Sequence, residues 1–144
     1  MSSWVFDDGG RKAAGFRGLA GDCVTRAVAI ATGRPYAEVY AALSQGQQEQ
    51  RRGKRRVRSR SARDGISTRR LWFKRYMHSL GWTWVPTMAI GSGCRVHLKA
   101  DELPAGRIIA RVSHHYVAVI DGVVHDTHDP MRAGARCVYG YWRR

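Results

Sequence analysis

Short apolar runs bounded by polar turns give the clearest β signal in the last third of the chain. Arg107–Val112, His115–Ile120 and Val123–Thr127 are rich in β-branched residues and predict three strands. Asp121-Gly122, between the second and third, is the pair that a two-residue type I′ hairpin demands. Cys137–Trp142 predicts a last strand, and Trp82–Val85 a short one ended by Pro86. The first third follows the helical period instead. Val24, Ala27, Val28 and Ala31 form one stripe, which predicts a helix from Cys23 to about Thr32. Asp22 suits its N-cap and Gly33 its stop. Pro35 suits the opening of a second helix, where Tyr36, Val39, Tyr40 and Leu43 repeat at i, i+3, i+4 and i+7 to about Ser44. A third helix is predicted from Ser67 or Thr68 to just before Gly81, with Leu71, Trp72, Tyr76, Met77 and Leu80 as its apolar face.

Helices first and an antiparallel sheet afterwards read as an α+β fold. At 144 residues the chain reads as a single domain, 1–144. Residues 1–22 read as an irregular arm held to the body by Trp4, Val5, Phe6, Phe16 and Leu19. Residues 87–106 read as loop. Residues 45–65 are low in complexity and offer only Val57 as a large apolar group, too little to offset the entropy of ordering them. They read as an excursion from the domain, partly disordered until a partner binds.

The Asp121-Gly122 turn sets a register, and the register sets faces. Ile120 opposes Val123, Val119 opposes Val124, and Ala118 opposes His125. His115, Val117, Val119, Val124 and Asp126 then share one side, with His125 on the other. His115 and Asp126 become diagonal neighbours, about 7 Å apart at Cβ. A carboxylate there can hold an imidazole's tautomer and orientation. Of the six histidines, the register selects His115.

Cys23 opens the first helix, where the helix dipole favours a thiolate. A nearby imidazole would complete the ion pair that cysteine hydrolases use. The plainer alternative is a buried structural thiol. Asp22 works against the thiolate if its charge faces the sulfur. The three cysteines, an odd number without a CxxC spacing, argue against a disulfide framework. Free thiols and a cytoplasmic setting are expected, host cytoplasm if the chain is phage-encoded. Cys94 has no evident partner and Cys137 reads as a strand-packing residue. The N-terminal residues lack the features of a signal peptide, and no apolar run approaches the roughly 20 residues of a membrane span.

Charge changes the picture at one place. Residues 51–75 hold twelve Lys or Arg against the single Asp64, so this window supplies eleven of the fourteen net positive charges. Arg51, Arg52, Lys54, Arg55, Arg56, Arg58, Arg60 and Arg63 are the candidate polyanion-binding residues, with Trp72, Phe73 and Tyr76 following. Nucleic acid or an acidic protein are the partners this suits, through phosphate-type contacts without sequence information. A merely solvated excursion is the plainer alternative. No metal site or cofactor is expected: the register separates His115 from His125, and no CxxC or HExxH accompanies them.

Gly21-Asp22-Cys23-Val24-Thr25-Arg26-Ala27 is similar to the Gly-(Asp/Asn)-Cys-x-x-Arg-Ala run of ovarian-tumour-type deubiquitinases, and His115-Tyr116 to their His-Tyr strand. The His-strand, Gly-turn and Asp arrangement also resembles bacteriocin-processing peptidases. Both resemblances imply a papain-like cysteine peptidase fold. The whole chain resembles small bacteriophage and prophage proteins. The resemblance implies Cys23 as nucleophile, His115 as base and Asp126 as third member. It also implies an oxyanion hole using the Cys23 N–H and a second donor. Residues 1–22 contain no Gln or Asn for that donor, which leaves Arg17 or the backbone of Gly21 and Asp22. The expected function is a cysteine peptidase or isopeptidase acting on a protein or peptide. Alternatives are a non-catalytic binding protein that uses the Arg-rich segment, or a virion or assembly component.

Overall fold

The structure, a computed structural model, describes residues 3–16, 21–49 and 67–144. The expected excursion at 45–65 therefore lies outside the described residues apart from 45–49, and the basic window 51–75 apart from 67–75.

The first helix, α1 (Cys23–Thr32), forms where its apolar stripe predicts. Gly33 ends it at φ 73°, a left-handed conformation that suits glycine, and its N–H bonds the Ala29 carbonyl. The second, α2 (Tyr36–Glu49), opens just after Pro35, whose carbonyl accepts the Val39 N–H. It runs five residues past Ser44, through what the composition marks as excursion. Gln47 is buried there, and the Gln45 amide bonds the Glu49 carboxylate at 3.0 Å. Gly46 carries no side chain, and the Trp72 indole of the third helix occupies that space. Polar pairing and this close approach extend the helix where apolar periodicity is absent.

The third helix, α3 (Leu71–Ser79), starts later than its pattern predicts and buries a different face. Phe73 and Met77 are fully buried, whereas Leu71 is 59% exposed. The face is chosen by the sheet beneath it: the Phe73 ring meets Tyr116 and Trp142 edge-on at 6.3 and 6.2 Å.

The strands are β1 (Ser3–Phe6), β2 (Thr83–Pro86), β3 (Val96–His97), β4 (Arg107–Val112), β5 (His115–Ile120), β6 (Val123–Asp126), β7 (Cys137–Val138) and β8 (Gly140–Arg143). Six of them form one sheet in the order β1-β6-β5-β4-β8-β2. Only the β1–β6 pairing in it is parallel. The β5–β6 hairpin has the predicted register, with Ile120 opposite Val123 and Ala118 opposite His125. Asp121 and Gly122 both take positive φ, 49° and 80°, as a type I′ turn requires.

Three expectations change here. Residues 3–6 of the arm form a strand, β1, and complete the open edge of β6. Their side chains do not anchor the arm, since Trp4, Val5 and Phe6 are 38, 43 and 71% exposed. Phe16 does pack on the body, 5.0 Å from the Tyr36 ring and 4.6 Å from Tyr40. Leu19 lies outside the described residues. The single predicted strand at 137–142 divides at Tyr139: Cys137–Val138 pairs with β3, and Gly140–Arg143 inserts between β4 and β2. Cys94 and Cys137 form a disulfide with Cα atoms 5.8 Å apart. That overturns the expectation of three free thiols and leaves Cys23 as the free one. The pairing depends on β3 and β7 lying side by side, which the spacing of 43 residues does not reveal.

Both faces of the sheet are covered. Ile109, Tyr116, Ala118 and Trp142 pack beneath Val28, Val39, Leu43, Phe73 and Met77 of the helices. Ile108, Ala110, Val117, Val119 and Val124 pack with Leu98, Met131 and Val138 on the other side. This explains why β4 and β5 read as nearly continuous apolar runs rather than strict alternation. Burying each Val, Leu, Ile, Phe or Met among them contributes about 1.5–3 kcal/mol. Among the described residues no helix is long and apolar enough to cross a membrane.

Candidate active site

The site gathers where the N-terminus of α1 meets the start of β5 and the end of β6. His115 opens β5 straight after the Ser113-His114 turn, and Asp126 closes β6. The hairpin register makes them diagonal neighbours, and the side chains meet: His115 Nε2 lies 2.5 Å from Asp126 Oδ2. The other carboxylate oxygen accepts the Thr127 N–H at 2.7 Å and faces Arg26 Nη2 at 3.5 Å. Asp126 is 3% exposed, and a carboxylate so buried needs these partners.

Cys23 is half-buried and lines one cleft with His115 and Tyr116, and the His115 ring and the Tyr116 N–H act on its sulfur. With Nε2 committed to Asp126, Nδ1 is the ring nitrogen left for the sulfur. Burial pushes the thiol up, but the His115 hydrogen bond and charge, the Tyr116 N–H and the Arg26 charge outweigh it. The Cys23 pKa falls below its ordinary value. Burial lowers His115, yet Asp126 and then Cys23 pull it up to about 9. Burial likewise raises Asp126, and the His115 hydrogen bond and charge, the Thr127 N–H and the His128 charge overcome it, so its carboxyl stays low. The directions agree: the arrangement favours a thiolate beside an imidazolium held by a carboxylate.

Asp22 does not cap α1 through its side chain. Its carboxylate turns to Arg26 Nη1, to Arg11 Nε at 3.2 Å and to the Tyr36 hydroxyl at 2.5 Å. Burial, and then Asp22 itself, push the Tyr36 phenol upward. A buried carboxylate is better satisfied by two guanidiniums and a phenol than by one helix N–H. The consequence is chemical: two cations compensate the negative charge expected beside the sulfur. Gly9 lets the arm cross α1 closely, since a Cβ there would lie 3.2 Å from the Arg26 carbonyl oxygen. That crossing brings Arg11 to Asp22.

The oxyanion candidates separate. Gly21 and Asp22 line the cleft beside Cys23, where each can offer only its backbone N–H as a donor. The first helical hydrogen bond of α1 is Arg26 N–H to the Asp22 carbonyl at 3.0 Å, so the Cys23 N–H has no partner within the helix. Arg17 lies outside the described residues, as do Arg51, Arg52, Lys54, Arg55, Arg56, Arg58, Arg60 and Arg63.

His125 stands on the opposite face from His115, as the register predicts. His125 bonds Asp7 at 3.1 Å on the β1 side. His114 is exposed at φ 54° in the turn. His128 sits nearer than the sequence suggests, its ring 5.2 Å from that of His115 and its Nδ1 4.0 Å from Asp126 Oδ1. The donor atoms of His115, Asp126 and His128 lie within 4.8 Å of one another. Those of His115 and Asp126 are already engaged with each other.

Arg26 and Tyr36 were absent from the predicted site. The i,i+4 spacing of Asp22 and Arg26 is the one local signal that points to Arg26. Nothing local ties Tyr36 to Asp22. The site opens on a cleft of about 710 Å³, lined among others by Thr68, Arg69, Arg111, His114, Tyr116, His128 and Tyr139. Compared with known proteins, the chain matches no family model, no curated protein and no solved structure.

Proposed function

We propose that this chain is a cysteine hydrolase of papain-like architecture, a peptidase or isopeptidase of phage type. The His115–Asp126 hydrogen bond, with Cys23 lining the same cleft as that imidazole and its thiol pKa lowered by it, carries the proposal. The Cys23 thiolate adds to the substrate carbonyl, forming a C–S bond. His115 delivers its proton to the departing amine as the C–N bond breaks, leaving a thioester. Water, deprotonated by His115, then attacks the thioester, and Cys23 leaves as thiolate with the acid product. Asp126 holds the ring in place and stabilises its charged form. The Cys23 N–H and a backbone N–H from Gly21 or Asp22 are the oxyanion donors this reading uses.

Two further features support it. Arg11 and Arg26 compensate Asp22 beside the sulfur, and the cleft is large enough for a peptide segment. The proposed setting is a cytoplasm, where the thiol pool would hold Cys94 and Cys137 largely reduced. The test is iodoacetamide labelling at pH 6.5 of fully reduced protein, read residue by residue by mass spectrometry. Cys23 should react at least about tenfold faster than Cys94 or Cys137, as a depressed thiol does, and His115→Ala should abolish the difference. Equal rates at the three cysteines would sink the reading.

A second reading rests on the twelve cations of residues 51–75: the segment grips nucleic acid or an acidic protein, with or without catalysis. Binding of RNA should weaken steeply with salt and vanish when residues 50–63 are deleted. Binding that survives the deletion would reject it.

A further inference from the structure

The cleft at Cys23 carries more positive charge than the chemistry uses. Arg26 is committed to Asp22 and Asp126. Arg69 and Arg111 line the same cleft and have no carboxylate partner among the described residues. Arg111 sits on β4 directly opposite Tyr116 of β5, so it stands on the sheet face that α1 covers, beside a residue that lines the cleft with Cys23. Arg69 lies in the turn that leads into α3 and is exposed. Arg136 reinforces the field from the cleft's edge. Its guanidinium bonds the carbonyls of Ser113 at 2.6 Å and Pro130 at 3.3 Å. The acid that lines the cleft is Asp22, whose carboxylate is buried and compensated.

Uncommitted arginines in a cleft are poised for carboxylates, which they bind in a bidentate, planar fashion. We infer that the substrate is a peptide bearing a carboxylate next to the scissile carbonyl, held by Arg69 and Arg111. The inference rests on the cysteine hydrolase reading and names the substrate class of that same site. Of the Arg-rich window 51–75 only Arg69 enters into it, and the residues 50–63 of the second reading do not.

Iodoacetate and iodoacetamide differ in charge but hardly in shape, and both report on Cys23 itself. The ratio of their alkylation rates at Cys23, measured at pH 6.5 on the full chain, should exceed the same ratio for glutathione by at least about tenfold. It should fall as salt rises from about 10 to 500 mM, because exposed charges are screened. Arg69→Gln and Arg111→Gln should each lower the ratio about threefold, the range of a single partly exposed charge pair. Arg111→Lys should retain most of it. A ratio equal to that of glutathione, or one unmoved in both Gln variants while iodoacetamide still reacts fast, overturns this inference and leaves the hydrolase reading standing. Slow iodoacetamide labelling of the wild-type Cys23 overturns both.

Three peptide vinyl sulfones that carry Asp, Asn or Lys beside the electrophile give an independent measurement. Inactivation should be fastest with Asp and slowest with Lys, and this order should reverse in Arg69→Glu/Arg111→Glu. Equal rates for the three reject a carboxylate-selective cleft.

Discussion

Arg26 reaches Asp126 across 100 residues of sequence, with Nη2 3.5 Å from Oδ1, while its other nitrogen holds Asp22. One guanidinium on the first turn of α1 thus ties the helix that Cys23 opens to the carboxylate bonded to His115. Its side chain is 12% exposed.

Removing that cation leaves two buried carboxylates undercompensated. Arg26→Met should lower stability by roughly 3–5 kcal/mol, the range for breaking a buried pair from one side. Urea denaturation measures it. Adding Asp22→Asn to Arg26→Met should recover part of the loss, since one stranded charge is gone. The variant should also raise the Cys23 pKa, because Arg26 is one of the charges that hold it down. Titrating the thiolate absorbance near 240 nm reads this directly, and an unchanged pKa would remove Arg26 from the electrostatics of the site.

The ion pair sets a pH window. The Cys23 pKa is lowered, so the thiolate appears earlier on the rising limb than in an ordinary cysteine. The His115 pKa is raised to about 9, so the proton that the proposed hydrolysis would deliver to the leaving group is lost only as pH rises through about 9. Activity should be bell-shaped with its alkaline limb near 9, the two limbs belonging to the coupled pair. Asp126→Asn removes the largest upward influence on His115 and should shift that limb toward acid. A limb that stays put would deny Asp126 its orienting role.

Linkage carries the same shifts into stability. His115 contributes stability that is fully present below its unfolded value of 6.5 and is lost as pH rises through about 9. Asp126, whose folded pKa is depressed, contributes stability present above 3.8 and lost as pH falls through its folded value. Melting temperature as a function of pH should therefore decline at both ends. His115→Gln should flatten the alkaline decline.

The disulfide closes a sequence separation of 43 residues between Cys94 and Cys137. Chain-entropy arguments assign such a closure about 4 kcal/mol. Oxidised native protein should expose one thiol to Ellman's reagent after unfolding, and reduced protein three. Cys94→Ser should lower the urea midpoint while leaving Cys23 labelling unchanged, because the pair clips β3 to β7 away from the site's hydrogen bonds.

Gly46 is filled from outside by the Trp72 indole, so a Cβ there collides with the ring. Gly46→Ala should lose about 1–3 kcal/mol to overpacking. That exceeds the roughly 1 kcal/mol of helix propensity that alanine offers. Thermal melting of Gly46→Ala beside Gly46→Ala/Trp72→Leu separates the two effects, since leucine vacates the space.

Local sequence determined whatever depends on neighbours along the chain. The apolar stripe of α1, the left-handed Gly33 and the Asp121-Gly122 turn are each written within about ten residues, and each forms as written. Because a two-residue turn leaves no freedom of register, it carried His115 and Asp126 onto one face before any tertiary contact was known. Tertiary structure decided whatever depends on a partner far away. The face buried by α3 follows from Tyr116 and Trp142, and β1 becomes a strand because β6 has an open edge. The division of the last strand at Tyr139 brings Cys137 to Cys94. Asp22 looks like a helix cap from its neighbours and becomes a buried anion once Arg11, Arg26 and Tyr36 converge on it. The physical reason is the same throughout. Periodicity and turn chemistry are local energies, whereas the partner of a buried charge is chosen by which elements pack together.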